Sequence, residues 1–231
     1  MIDALKKNLG TIRERVEQAV CKSGRSIDDV TLIGVTKYVD TETTRALVDS
    51  GCRHLGESRP QLMWEKADAL SGLDVTWHMI GHLQRNKVKR TVECASLIHS
   101  VDSQRLLKAI DDAGQLHNKR VDVLLEVNVS GESAKHGFVG EDLGAALAYA
   151  GSLSNVVVKG LMCMAGLVGD LSDARREFAS LRELRERHCD NGFANVELKE
   201  LSMGMSGDFD VAIEEGATMV RVGSLLFQGI V

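Results

Sequence analysis

Lys37 closes an apolar run, Val30-Thr31-Leu32-Ile33-Gly34-Val35-Thr36, that contains no acidic side chain to neutralise an amine. A lysine at the end of a buried strand, held in an apolar and partly desolvated pocket, gives up its proton readily, and the free amine attacks carbonyl carbon. The alternative is a strand-end lysine whose ammonium snorkels into solvent. Two further segments combine hydroxyls with glycine. They are Leu201-Ser202-Met203-Gly204-Met205-Ser206-Gly207 and Arg221-Val222-Gly223-Ser224. Serine hydroxyls and open backbone N–H groups in such loops are the equipment of a phosphate cradle. Either segment by itself is equally an ordinary turn after a strand.

The elements that must position these residues follow from periodicity. Ile2, Leu5, Leu9, Ile12, Val16 and Ala19 recur at steps of three and four, which predicts an amphipathic first helix over 2–22 ending near Gly24. Short apolar runs at 30–36, 53–55, 75–80, 96–99, 121–129, 156–163, 197–202 and 218–222 then alternate with helical patterns near 41–50, 59–70, 84–93, 103–114, 141–151, 172–188 and 208–215. Runs such as Val121-Asp122-Val123-Leu124-Leu125-Glu126-Val127 suit parallel strands covered by helices. Eight such units in 231 residues predict an α/β fold, a single (β/α)8 TIM barrel forming one domain over 1–231, with a doubly wound open sheet as the alternative. Too few residues follow the last strand for a full eighth helix, so the first helix is expected to complete the outer wall.

In a barrel of this kind the active face lies at the C-terminal ends of the strands, and closure sets the first strand beside the last. Lys37, the Ser202/Ser206 loop and Arg221-Val222-Gly223-Ser224 then share one rim. A phosphate cradle opposite a lone lysine points to pyridoxal 5'-phosphate (PLP), whose aldehyde condenses with the amine while its phosphate anchors it. Arg221 would lie under the ring. His82 is expected at the rim near the cofactor and His78 as a packed or hydrogen-bonded histidine. Asn128 and His99 end strands and are candidates for the pocket wall. His78 and His82 are not expected to hold a metal, because no third ligand stands at readable spacing. Met162, Met164, Met203 and Met205 read as packing residues, and Cys163 as an inert thiol in an apolar setting. Tyr38 is expected to point away from Lys37 if strand alternation continues.

Several strings are specific in combination: Trp77-His78-Met79-Ile80-Gly81-His82-Leu83-Gln84-Arg85-Asn86-Lys87, Leu201-Ser202-Met203-Gly204-Met205-Ser206, Val35-Thr36-Lys37, Leu55-Gly56-Glu57-Ser58, Ile98-His99-Ser100-Val101-Asp102, Val127-Asn128-Val129-Ser130-Gly131-Glu132, Gly160-Leu161-Met162-Cys163-Met164, and Ala217 to Ser224. With them the chain resembles the pyridoxal phosphate homeostasis proteins, single barrels of the PLP type III kind related to the N-terminal domain of alanine racemase. The resemblance implies that Lys37 carries the Schiff base, that Ser202, Ser206, Gly223 and Ser224 hold the phosphate, and that Arg221 faces the pyridine nitrogen. It also implies a non-catalytic carrier of PLP, with no catalytic residue and with apo PLP-dependent enzymes as recipients. Ser58 replaces the usual Asn after Gly-Glu, Pro60 enters an otherwise helical stretch, and Gln228 stands where Gly is common. The competing reading is a PLP-dependent amino-acid racemase, which needs two opposed acid/base groups. A third is a barrel that binds partners and holds no cofactor.

Composition narrows the classes further. A formal net charge of -5 spread along the chain gives no footprint for nucleic acid. The cationic run Arg85-Asn86-Lys87-Val88-Lys89-Arg90 reads as a solvated helix face, with a phosphate site as the alternative. Charges in Met1-Ile2-Asp3-Ala4-Leu5-Lys6-Lys7 rule out a signal-peptide core, and no stretch reaches the ~18 apolar residues of a membrane span. A cytoplasmic monomer is expected. Five cysteines without a Cys-x-x-Cys pair fit free thiols better than disulfides or zinc.

Overall fold

Eight parallel strands close on themselves in the computed structural model, which describes residues 1–131, 136–166, 170–190 and 192–230. β1 (Thr31–Val35) pairs with β2 (His54–Glu57) on one side and β9 (Met219–Val222) on the other. β3 (Thr76–Met79), β4 (Leu97–Val101), β5 (Val121–Asn128), β7 (Val156–Met162) and β8 (Val196–Ser202) complete the ring. Pairing of β4 with β5 closes it. The two-residue β6 (Phe138–Val139) adds to the end of β5 outside the ring. The open-sheet alternative is thereby excluded.

Helices α1 (Ile2–Lys22), α2 (Thr41–Asp49), α3 (Pro60–Ala69), α4 (Val88–Cys94), α5 (Gln104–Leu116), α6 (Leu143–Gly151), α7 (Leu171–His188) and α8 (Phe209–Glu214) form the outer wall. α1 buries Leu5, Leu9, Ile12, Val16, Ala19 and Val20, the stripe its spacing predicts, and packs between α2 and α8. It completes the outer wall between α8 and α2. Asn8 Nδ2 donates to the carbonyls of Leu226 and Gln228, both at 3.0 Å, and so ties α1 to the C-terminal turn.

Most strand limits fall within two residues of the apolar runs. β2 runs on to Glu57 because parallel pairing keeps Gly56 and Glu57 in register with His78 and Met79. Pro60 is no interruption either. It opens α3 at the first turn, where a missing N–H leaves no helical hydrogen bond unmade. Of the cationic run, Arg90 pairs with Asp68 at 2.9 Å and lies 4.9 Å over the Trp64 ring, so part of the run packs α4 onto α3.

Two layers of core result. One lies between strands and helices. The other is the barrel interior, where Leu97, Leu124, Met162 and Met219 form a small apolar cluster contributed by four strands. The same strand faces, two residues on, carry His99, Glu126 and Arg221, so the interior turns polar toward the C-terminal rim.

Candidate cofactor site at the C-terminal rim of the barrel

A cleft of about 670 Å³ opens at this rim. Lys37 and Tyr38 enter it from the turn after β1, Ser58 from the loop after β2, and Gly81 and His82 from the loop after β3. Glu126 comes from β5 and Met164 from the loop after β7. Ser206 and Gly207 come from the loop after β8, and Arg221, Gly223 and Ser224 from β9 and its end. Gly81 has no room for a side chain, since a Cβ there would meet the Ser58 carbonyl at 2.2 Å. Gly204 adopts φ +89°, which turns the chain from β8 into the Ser206 loop beside Phe209 and Ala212.

Six of the residues singled out by sequence meet on this cleft: Lys37, His82, Ser206, Arg221, Gly223 and Ser224. Ser206 Oγ accepts from the Gly223 N–H at 3.2 Å, which clips the two glycine loops together. The Gly223 N–H is therefore occupied, whereas those of Gly207 and Ser224 have no partner among the described residues. Lys37 is exposed in the cleft. Its Nζ lies 4.7 Å from the centroid of the Tyr38 ring, because residues 37 and 38 form a turn and the strand alternation has ended at Val35. Tyr38 thus faces the cleft, contrary to the expectation from alternation.

Three expected residues stand elsewhere. Ser202, the last residue of β8, is fully buried in the barrel interior below the cleft, between His99 and Arg221. It is no part of the glycine loop, because the chain turns only at Gly204. Asn128 faces a separate groove with Val139 and Leu184. The register of β5 with β7 ends at Glu126, and β5 continues along β6, which carries Asn128 out of the ring. Its Oδ1 accepts from the Gly131 N–H at 3.1 Å and the Ser130 hydroxyl at 3.2 Å. Glu132, the end of that sequence string, lies outside the described residues. His99 is likewise interior and not on the cleft wall. His78 is buried and hydrogen bonded, as expected.

Other participants carried little signal in sequence. Glu126 interrupts an apolar strand and looks outward by composition, yet it is 5% exposed; desolvation first, then the charge of Asp102, raises its pKa. Beneath Lys37, Lys66 from α3 is buried against Glu57, with its Nζ 2.5 Å from Glu57 Oε1 and 2.8 Å from the Thr36 carbonyl. Thr36 Oγ1 donates to the same carboxylate oxygen at 2.8 Å, so this buried pair grips the end of β1. Asp102 gathers two imidazoles at the mouth: its Oδ2 is 3.1 Å from His82 Nδ1 and 3.7 Å from His136 Nδ1. The fold supplies third and second ligand types that spacing could not reveal. The ligand atoms of His82, Asp102 and His136 all lie within 4.8 Å of one another, and the two rings stack at 4.4 Å and 20°.

The profile of the family described as "Alanine racemase, N-terminal domain" matches residues 2–230. The pyridoxal phosphate homeostasis protein of Aquifex aeolicus is 42% identical over 221 residues, covering 96% of each chain. The chain belongs to the pyridoxal phosphate homeostasis protein family. The homeostasis protein of Bos taurus is 35% identical, with 95% of this chain and 85% of the bovine one covered. Among solved structures, PipY of Synechococcus elongatus with PLP bound superposes with a TM-score of 0.85 at 32% identity, covering 96% of this chain and 99% of that one. An alanine racemase of Clostridium difficile shares the barrel at a TM-score of 0.76 and 14% identity, and this chain covers 56% of it. That likeness shows the fold alone. No helix among the described residues is long and apolar enough to cross a membrane.

Proposed function

We propose that this homeostasis-family chain binds PLP covalently at Lys37, as a single-domain cytoplasmic monomer, and stores and hands over the cofactor without turnover. The observation that carries the reading is the shared cleft: an exposed amine, a glycine-serine loop pair with open N–H groups, and a buried guanidinium all face one space. These residues fit the group. When bound, PLP supplies an aldehyde that condenses with the Lys37 amine and releases water, a reversible linkage that an incoming amine can exchange. The N–H groups of Gly207 and Ser224 are donors for a phosphate, with Ser206 bracing the loop. Arg221, a donor that holds its charge, suits an unprotonated ring nitrogen. Ser202 supports Arg221 in place of the phosphate role implied by resemblance, and Asn128 has no part. His82 borders the mouth.

Racemisation requires a second acid/base group across the ring from Lys37. Tyr38 lies against the Lys37 amine itself, which does not favour that arrangement. Relatives named as homeostasis proteins, and the PipY structure with PLP bound, support the carrier reading. The recipients would be apo PLP-dependent enzymes.

Borohydride reduction of protein loaded with PLP, followed by peptide mapping, is expected to place one label on Lys37 and none in Lys37→Ala. Label on another lysine overturns the assignment. Transfer of PLP into an apo-enzyme, measured with and without this protein, tests the delivery step.

A further inference from the structure

Five side chains join in a line through the barrel interior. His54, at the start of β2, has Nδ1 3.0 Å from His78 Nε2. His78 Nδ1 lies 2.9 Å from His99 Nε2, and His99 Nδ1 lies 2.8 Å from Ser202 Oγ. Arg221 Nη1 then donates to Ser202 Oγ at 2.6 Å. Four members are buried, from His78 to Arg221, and His54 is partly exposed at the opposite end from the cleft. β4 and β8, which carry His99 and Ser202, are not neighbours in the sheet, so this contact spans the barrel.

The direction of every bond in the line is determined by its end. Arginine only donates, so Ser202 Oγ must accept from it. The single hydroxyl proton of Ser202 then has one acceptor in reach, His99 Nδ1. The reverse order would aim His99 Nδ1–H at Ser202 and leave a fully buried hydroxyl proton without a partner, the more costly arrangement. With Nδ1 accepting, His99 carries its proton on Nε2 and donates to His78 Nδ1. His78 in turn donates from Nε2 to His54 Nδ1. Three neutral Nε2–H imidazoles result, each with its unprotonated nitrogen on the side of the guanidinium.

Arg221 is 4% exposed and forms no salt bridge among the described residues; its Nη2 donates to the Cys163 carbonyl at 2.8 Å. A buried cation needs compensation. We infer that His54, His78, His99 and Ser202 are positioning residues, a one-directional hydrogen-bond wire whose aligned dipoles stabilise and orient the Arg221 guanidinium at the base of the cleft. Two N–H groups of the guanidinium are tied down, and the remaining donors are left for the cleft and its occupant. For the cofactor, this rests on the PLP reading above.

The decisive measurement uses protein without PLP. In ¹⁵N-histidine-labelled protein at pH 7, His78 and His99 are expected as neutral Nε2–H tautomers, and Ser202→Ala is expected to disturb the His99 signal and, through it, that of His78. An Nδ1–H or doubly protonated ring at either position overturns the wire. The positioning role is read in the PLP complex of the full chain. His99→Leu, which removes the acceptor for Ser202, should weaken PLP about tenfold and shift the visible absorption band. His99→Asn, whose Oδ1 takes the place of Nδ1, should stay within about threefold of wild type. Equal affinity and spectrum in His99→Leu overturn the positioning role. Wild-type protein that takes up no PLP would sink the carrier reading while leaving the tautomer result to stand or fall by itself.

Discussion

At the scale of single residues, the charges inside this barrel are few and each is handled differently. Lys66 and Glu57 neutralise one another, yet Glu57 Oε2 has no hydrogen-bond partner among the described residues. Removing one member strands the other in the interior, so Lys66→Met should cost about 3–5 kcal/mol in chemical denaturation, with Glu57→Leu added to it restoring most of the loss. A double variant as unstable as the single one would show that the lysine acts through packing. Glu126 forms no ion pair among the described residues, and burial raises its pKa. The folded state therefore holds this proton more tightly than the unfolded chain does. Its destabilising effect is complete above the raised folded-state pKa and absent below about pH 4, where both states are protonated. Glu126→Gln is expected to raise the melting temperature at pH 8 and to lose that gain on acidification; a gain independent of pH would point to another cause.

At the scale of elements, α1 is the piece whose role depends on closure. Its Leu9 is 1% exposed on the buried stripe of the helix, which packs against α2 and α8. Leu9→Ala should cost about 2–5 kcal/mol, as for other buried leucines, measured from the shift in denaturant midpoint. A cost below about 1 kcal/mol would mean that α1 is an appendage and not part of the wall. The limits of β2 and β5 show why apolar runs locate strands better than they end them. β2 continues because its neighbour pairs with it, and β5 turns aside because its neighbour changes from β7 to β6.

At the scale of the whole molecule, the interior histidines link stability to pH. Burial pushes His78 down to about 3, with the charge of His54 adding to the effect, and lowers His99 well below its ordinary value, with His78 and Arg221 contributing. Unfolding frees both rings to take up protons below about pH 6.5, so the unfolded state binds more protons and stability falls as pH drops. Between pH 6 and 5 each should contribute about 1.4 kcal/mol per pH unit. Proton uptake on unfolding at about pH 5, measured by calorimetry in buffers of different ionisation enthalpy, should include about two protons from these residues. Uptake near zero would show that they titrate in the folded barrel.

The sequence by itself determined the alternation of strands and helices, the apolar stripe of α1 and the segments that meet at the rim, because those depend on local periodicity and on the fixed geometry of a closed parallel barrel. Lys37, Ser206, Arg221, Gly223 and Ser224 reach the cleft by that rule. What faces inward at and beyond the strand ends depends on contacts between distant segments. The tertiary structure turned Tyr38 into the cleft, drew Asn128 out of it, and sank Ser202 beneath it as a link between His99 and Arg221. Turns, partner changes and cross-barrel hydrogen bonds join residues far apart in the chain, 103 positions in the case of His99 and Ser202, and no period in the sequence records them.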